Sequence, residues 1–154
     1  MIYLIEIRKF KDKDALEVSD LIRKTLSEEN SKFYPQSVIK FMDSEFTPKF
    51  LVELSKEREF FVAIEKSNII GSITLIKDYI GTVFVNPDYH CKGIGTKLME
   101  TIENLAKVRK IEKLRLNSSI NAVDFYEKLD YKKGEQSQSE EYGVTYEMKK
   151  TLKY

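Results

Sequence analysis

At 154 residues, 42% apolar and 33% charged, the chain has the composition of one folded domain with a single core rather than of a disordered segment. A formal net charge of +1 disfavours broad electrostatic binding of nucleic acid, and no apolar run approaches the length of a membrane span. One cysteine and one histidine exclude an intrachain disulfide and a multi-ligand Cys/His metal centre, so no metal is expected, and adjacent His90 and Cys91 make a poor nucleophilic pair.

The chain opens with apolar and charged residues alternating from Ile2 to Phe10, a strand rather than a signal peptide, placed at about Leu4 to Phe10. A cytoplasmic location is the expectation that follows. Asp12 and Asp14 are placed to cap a helix in which Ala15, Val18, Leu21, Ile22 and Leu26 recur at helical spacing. A loop from Asn30 to Pro35 carries Phe33 and Tyr34, and a second helix covers about Gln36 to Asp43. Thr47 followed by Pro48 reads as an N-cap with proline at the first helical position, starting a helix to about Lys56. Phe60 to Ile64 and Ile69 to Ile76 form a hairpin around Ser67 and Asn68, and Ile80 to Val85 adds a third strand. From Ile94 the stripe Leu98, Ile102, Leu105 and Ala106 makes a helix to about Arg109. Leu114 to Leu116 reads as a short buried strand, Ala122 to Leu129 as a helix, Tyr131 as the start of a strand, and Val144 to Met148 as the closing strand. Gly134 to Gly143 reads as a mobile surface hairpin loop or bulged region. No repeat or composition break divides residues 1 to 154, so one domain is expected.

The segment from Val83 to Leu98 stands out physically. An apolar strand meets Pro87, which removes a ladder donor and ends pairing. Gly93 and Gly95 follow, with no side chains to keep a ligand off the main chain, and a helix starts beside them with its positive dipole end. Several N–H groups thus converge on one point, an arrangement suited to a phosphate. Gly-Ile-Gly alone is weak evidence, since most strand-to-helix turns with glycine bind nothing. A dinucleotide fingerprint needs a third glycine where Leu98 stands, and a Walker A loop is absent.

Read whole, Val85-Asn86-Pro87-Asp88-Tyr89-His90-Cys91-Lys92-Gly93-Ile94-Gly95-Thr96-Lys97-Leu98 resembles motif A of the GCN5-related N-acetyltransferases, V-x-P-x-x-[Q/R]-x-x-G-x-G-x-x-L in outline. His90 stands where glutamine or arginine is usual. Downstream, Ala122-Val123-Asp124-Phe125-Tyr126-Glu127-Lys128-Leu129-Asp130-Tyr131 is similar to the family's A-[I/V]-x-F-Y-x-K-L-G-[F/Y], with Asp130 in place of glycine. Tyr146 to Leu152 looks like its last strand. Ser119 stands where the family often has asparagine, with Asn121 close by.

The resemblance implies an α/β fold of the α+β kind, a mixed, mostly antiparallel central sheet flanked by helices on both faces. It implies acetyl-CoA as co-substrate and a primary amine as acceptor, attacked directly, with no nucleic acid and no membrane as partners; a homodimer stays open. Main-chain groups of Val83, Phe84 and Val85 are expected along the pantetheine arm, and a main-chain N–H near Val85 at the thioester carbonyl. The turn of His90, Cys91, Lys92, Gly93, Ile94, Gly95 and Thr96 is expected at the pyrophosphate, with Ser119 and Asn121 nearby. Tyr126 matches the tyrosine near the CoA sulfur and is the expected catalytic acid.

Asp78, Glu65 and Glu53 are candidate bases, each more often a surface charge. The acceptor is expected to meet residues 25–56, where Phe33, Tyr34, Phe41 and Phe46 lie among Glu28, Glu29, Asp43 and Glu45, and the Gly134 to Gly143 loop. Aromatics with carboxylates suit a cationic amine. The alternative of a different class is a non-catalytic acyl-CoA-binding or sensing module on the same fold.

Overall fold

The computed structural model describes residues 4–153, so the start of the alternation at Ile2 lies outside the described residues. Seven strands form one sheet in the order β1-β2-β3-β4-β5-β7-β6. They are β1 (Glu6–Lys9), β2 (Glu59–Glu65), β3 (Asn68–Ile76), β4 (Tyr79–Val85), β5 (Lys113–Ser119), β6 (Lys132–Ser139) and β7 (Gly143–Thr151). Only β4 and β5 run parallel; every other pair is antiparallel.

Helices cover both faces because β2 and β3 carry apolar side chains in both directions. On one face Phe60 and Val62 pack with Val18, Leu21, Ile22 and Leu26 of α1 (Ala15–Glu28) and Leu51 and Leu54 of α3 (Pro48–Glu57). On the other, Ile73, Leu75, Leu114, Leu116 and Met148 meet Ile94, Leu98, Met99, Ile102 and Ala106 of α4 (Ile94–Val108). Val123 and Tyr126 of the short α5 (Val123–Lys128) join this second cluster. The expected fold class is the one observed. Among the described residues no helix is long and apolar enough to cross a membrane.

Most expected elements appear within a residue or two of their placing. Thr47 caps α3 by accepting from the Phe50 N–H at 3.2 Å, with Pro48 at the first helical position. Asp14 does not cap α1. It binds Arg8 through both carboxylate oxygens, at 2.8 and 3.0 Å, and accepts from the Lys11 N–H. Burial alone would raise this carboxyl; the Arg8 and Lys11 bonds outweigh it and hold the group below the usual carboxylate range. Asp130 adopts φ 72°, the left-handed ending of α5 that glycine commonly supplies.

Two strand assignments need correcting. The expected short buried strand at Leu114 to Leu116 is seven residues long and one-sided: Leu114, Leu116 and Ser118 are buried, while Lys113, Arg115 and Asn117 face outward. The segment from Gly134 to Gly143 is not a loop, since β6 occupies it to Ser139 and pairs with β7. Its bulged reading holds, for the register shifts between Lys133 and Gln136. Every residue of β6 is exposed, so no apolar alternation marks it in the sequence, and main-chain pairing alone makes it a strand.

Candidate functional site

The site begins where β4 and β5 part. They pair only at Tyr79 with Arg115 and Ile80 with Leu116, then diverge over the rest of both strands. Pairing with β3 continues on the far side of β4, and the Asn86 N–H donates to Ile70 O at 2.8 Å. Residues two apart point their main-chain groups the same way, so Val85, between Phe84 and Asn86, turns its N–H and C=O into the gap. The gap opens into a cleft of about 1100 Å³.

β4 is also kinked. Its register against β3 slips between Ser72 and Thr74, and Thr82 takes φ 51°, a left-handed conformation that β-branched residues rarely adopt. Ser72 Oγ donates to Thr82 O at 2.8 Å and holds the bulge. The kink therefore lies at Thr82 and Val83, two residues before the position near Val85 expected to offer an N–H.

Past Asn86 the chain makes a short turn and reaches α4. Gly93 is its N-cap at φ 80°, and a Cβ placed there would meet nothing within 4 Å, so its surroundings are open. The N–H groups of Ile94, Gly95 and Thr96 fall in the first turn, where the helix provides no acceptors. Gly95 has another role than the expected ligand approach. A Cβ on it would lie 2.9 Å from Phe125 Cζ, so its missing side chain seats the α5 ring against α4. Cys91, exposed, also sits at positive φ, 63°.

His90 is more than a loop residue. Its Nε2 lies 2.9 Å from Val85 O, and because a carbonyl only accepts, the contact requires the proton on Nε2. Thr25 Oγ1 lies 3.4 Å from the same carbonyl but gives its proton to Leu21 O at 2.9 Å. The carbonyl that faces the gap is thus already engaged by His90.

Tyr126, 5% exposed, borders the cleft from α5, its ring edge-on to Phe125 and Tyr131 at 5.1 and 6.1 Å. Burial, with a smaller contribution from Tyr79, pushes this phenol up, so it keeps its proton across the working range. Tyr131 is core, just before β6, and donates to Glu103 Oε2 at 2.8 Å.

Val83, Phe84, Val85, His90, Cys91, Gly93, Ile94, Gly95, Thr96, Ser119, Asn121 and Tyr126 all border this one cleft, and Lys92 lies in the same turn. Ser119 precedes the short 3₁₀ turn before α5, but its hydroxyl caps nothing. The candidate bases are not cleft residues: Asp78 pairs with Arg115 at 3.1 Å, Glu53 with Lys56 at 3.2 Å, and Glu65 is buried beside the β2–β3 turn. Glu29 and Glu45 are the carboxylates on the cleft wall among the described residues.

The opposite wall comes from α2 (Gln36–Glu45), α3 and the β6–β7 tip. Tyr34 donates to Val144 O at 2.6 Å and accepts from the Ile120 N–H at 2.8 Å, tying the loop before α2 to both β7 and the end of β5. Burial raises its phenol, which stays a donor. Tyr142, at the hairpin tip, donates to Glu45 Oε2 at 2.7 Å and meets Phe41 edge-on at 5.5 Å. Of the expected acceptor residues, Tyr34, Phe46, Glu29 and Glu45 reach the cleft. Phe41 instead supports Tyr142, and Asp43 faces Arg23 at 3.9 Å. Sequence reading missed Thr82, Arg58, Tyr79 and Tyr142. Thr82 carries no turn signal, and Tyr142 lay inside the presumed loop.

A family model described as an acetyltransferase (GNAT) domain matches residues 22–152. An uncharacterized N-acetyltransferase, YafP of Escherichia coli strain K12, is 23% identical over 136 residues, covering 88% of this chain and 87% of that protein. Among solved structures, a GCN5-related N-acetyltransferase from Rhodopseudomonas palustris superposes with TM-score 0.91 at 20% identity, over 99% of both chains. PaiA N-acetyltransferase from Thermoplasma acidophilum, solved in complex with coenzyme A, gives TM-score 0.82 at 23% identity over 97% of this chain and 99% of that one.

Proposed function

The chain belongs to the GNAT acetyltransferase family, and from that premise we propose that it transfers the acetyl group of acetyl-CoA to a primary amine by direct attack. The observation that carries this reading is the parting of β4 from β5 after Ile80 and Leu116, onto a gap that ends at the N-terminus of α4 and is bordered by a protonated, buried tyrosine.

The residues present fit acetyl-CoA. Open space around Gly93 and the N–H groups from Ile94 to Thr96 suit a pyrophosphate. Val85 turns main-chain groups into the gap as an edge does toward an added strand. When bound, the thioester supplies an activated acetyl group and a thiolate leaving group. The main chain at the Thr82–Val83 kink supplies an N–H to the carbonyl oxygen as it gains charge. Tyr126 holds its proton at the hydroxyl and stabilises the departing sulfur by donating to it. Raised above the ordinary phenol value near ~10, it acts through that hydrogen bond more than through full transfer to a thiolate whose conjugate acid lies near ~8.5. His90, bonded to Val85 O, sets the entrance to the turn. A cytoplasmic location fits this chemistry and is part of the same proposal.

Incubation with acetyl-CoA and a panel of primary amines, following release of free thiol, tests the reading. Turnover is expected with at least one amine class, and Tyr126→Phe is expected to lower kcat about a hundredfold with CoA affinity within about twofold. Tight CoA binding without turnover of any amine would favour the acyl-CoA-binding module instead.

A further inference from the structure

The sequence holds five arginines, and four have a carboxylate close by: Arg8 with Asp14 at 2.8 Å, Arg23 with Asp43 at 3.9 Å, Arg109 with Glu59 at 3.0 Å and Arg115 with Asp78 at 3.1 Å. Arg58 differs. Half-buried at the end of α3, it borders the cleft and pairs with no carboxylate among the described residues, and its Nε, like that of Arg23, is buried without a hydrogen-bond partner. A guanidinium with one nitrogen out of water and no carboxylate beside it gains from a ligand that supplies the countercharge.

Its surroundings hold it in place. The guanidinium carbon lies 5.9 Å from the centre of the Tyr79 ring, whose neighbourhood also includes Arg115 at 4.9 Å. Nη1 is 3.5 Å from Thr74 Oγ1, which in turn lies 3.4 Å from Thr82 Oγ1 at the kink. A Cβ on Gly81 would sit 2.8 Å from Nη1, so the bare main chain there makes room for the guanidinium beside β4. Thr74 and Thr82 link it to the kinked segment where the acetyl group is proposed to sit.

We propose that Arg58 selects the acceptor by binding a carboxylate carried on the same molecule as the amine. This inference rests on the acetyltransferase reading above. The planar fork of a guanidinium matches the two oxygens of a carboxylate. Arg115, the other cation against Tyr79, is already neutralised by Asp78, so one uncompensated positive charge remains and suits a singly charged anion better than a phosphate dianion. Gly81 and Val83 are two residues apart, a span of at most about 7 Å across the kink. An amine at the kink and a carboxylate at Arg58 therefore fit within one small amino acid, which favours a free amino acid over a polyamine.

Equilibrium titration of the protein–CoA complex with matched pairs tests this: alanine and alaninamide, β-alanine and its amide, 4-aminobutanoate and its amide, lysine and lysinamide. At least one acid is expected to bind about tenfold or more tightly than its amide. Arg58→Gln is expected to erase that preference, Arg58→Lys to keep part of it, and both to leave CoA affinity within about twofold and the thermal transition intact. Acids that bind no better than amides, or a preference that survives Arg58→Gln, would overturn the inference. Turnover of the amides with unchanged KM in Arg58→Gln, beside acids that gain nothing, would overturn it and leave acetyl transfer standing. An acid preference lost in Arg58→Gln upholds the carboxylate site even where no amine turns over, and in that case it is the transfer reading that fails.

Discussion

The two walls of the cleft are built from different materials. The wall running from Val83 to Thr96 is main chain: strand groups turned into a gap, a kink at Thr82, and the first N–H groups of α4 behind Gly93. The rest of the lining is mainly side chain, with Tyr34, Glu45, Arg58 and Tyr142 arriving from the loop before α2, α2 itself, the end of α3 and the β6–β7 tip. A main-chain site tolerates exchange of most side chains and fails where backbone conformation changes. A side-chain site keeps its backbone and changes its partner with each substitution. The first wall accordingly suits a constant donor and the second a selected acceptor.

The sharpest way to break this contrast is at Gly93. Its φ of 80° costs any other residue, so Gly93→Val is expected to reshape the turn and weaken CoA binding more than about a hundredfold, at about 1–2 kcal/mol of stability. Calorimetric titration reads the first and denaturant unfolding the second; unchanged CoA affinity would remove the turn from the site.

Gly95 sharpens the comparison within one motif, because its requirement is packing. Gly95→Ala is expected to lose about 1–3 kcal/mol by pressing on Phe125. Adding Phe125→Leu should recover more than half of that in the same unfolding experiment. A double variant no more stable than Gly95→Ala would refute the packing role.

The smallest effect is expected on the side-chain wall. Burial, and then the bond to Glu45, push Tyr142 up to about 12, so its hydroxyl stays protonated and the clasp to α2 persists at neutral pH. A phenol raised on folding contributes stability that is complete below about pH 10 and fades as pH climbs toward 12. Tyr142→Phe is thus expected to shift the acceptor KM about two- to fivefold at pH 8, with CoA affinity unchanged. The stability difference between the two proteins should shrink between pH 10 and 12; a constant difference across that range would place the effect elsewhere.

Legibility followed the same division. Pro87, Gly93 and Gly95 announce a strand end and a helix start because each acts on its own backbone, and the helical stripe from Ile94 to Ala106 depends only on local periodicity. Gly95 shows the limit of that reading, for its partner Phe125 is thirty positions away and appears only once α5 packs on α4. The candidate bases Asp78, Glu53 and Glu65, each read as more often a surface charge, lie off the cleft wall for a related reason. A carboxylate's role depends on what faces it, and two of them face cations outside the cleft.

By itself the sequence determined most of the strands and helices and the glycine turn before α4, since those follow from short-range sterics and hydrophobic period, while Tyr126 was marked only by resemblance to a family motif. Only the tertiary structure decided that β4 parts from β5 after two paired residues, that β6 is a strand, that His90 holds Val85 O, and that Arg58 alone among five arginines meets no carboxylate among the described residues. Each of these depends on which distant residues come to lie opposite one another, and a linear pattern does not record that.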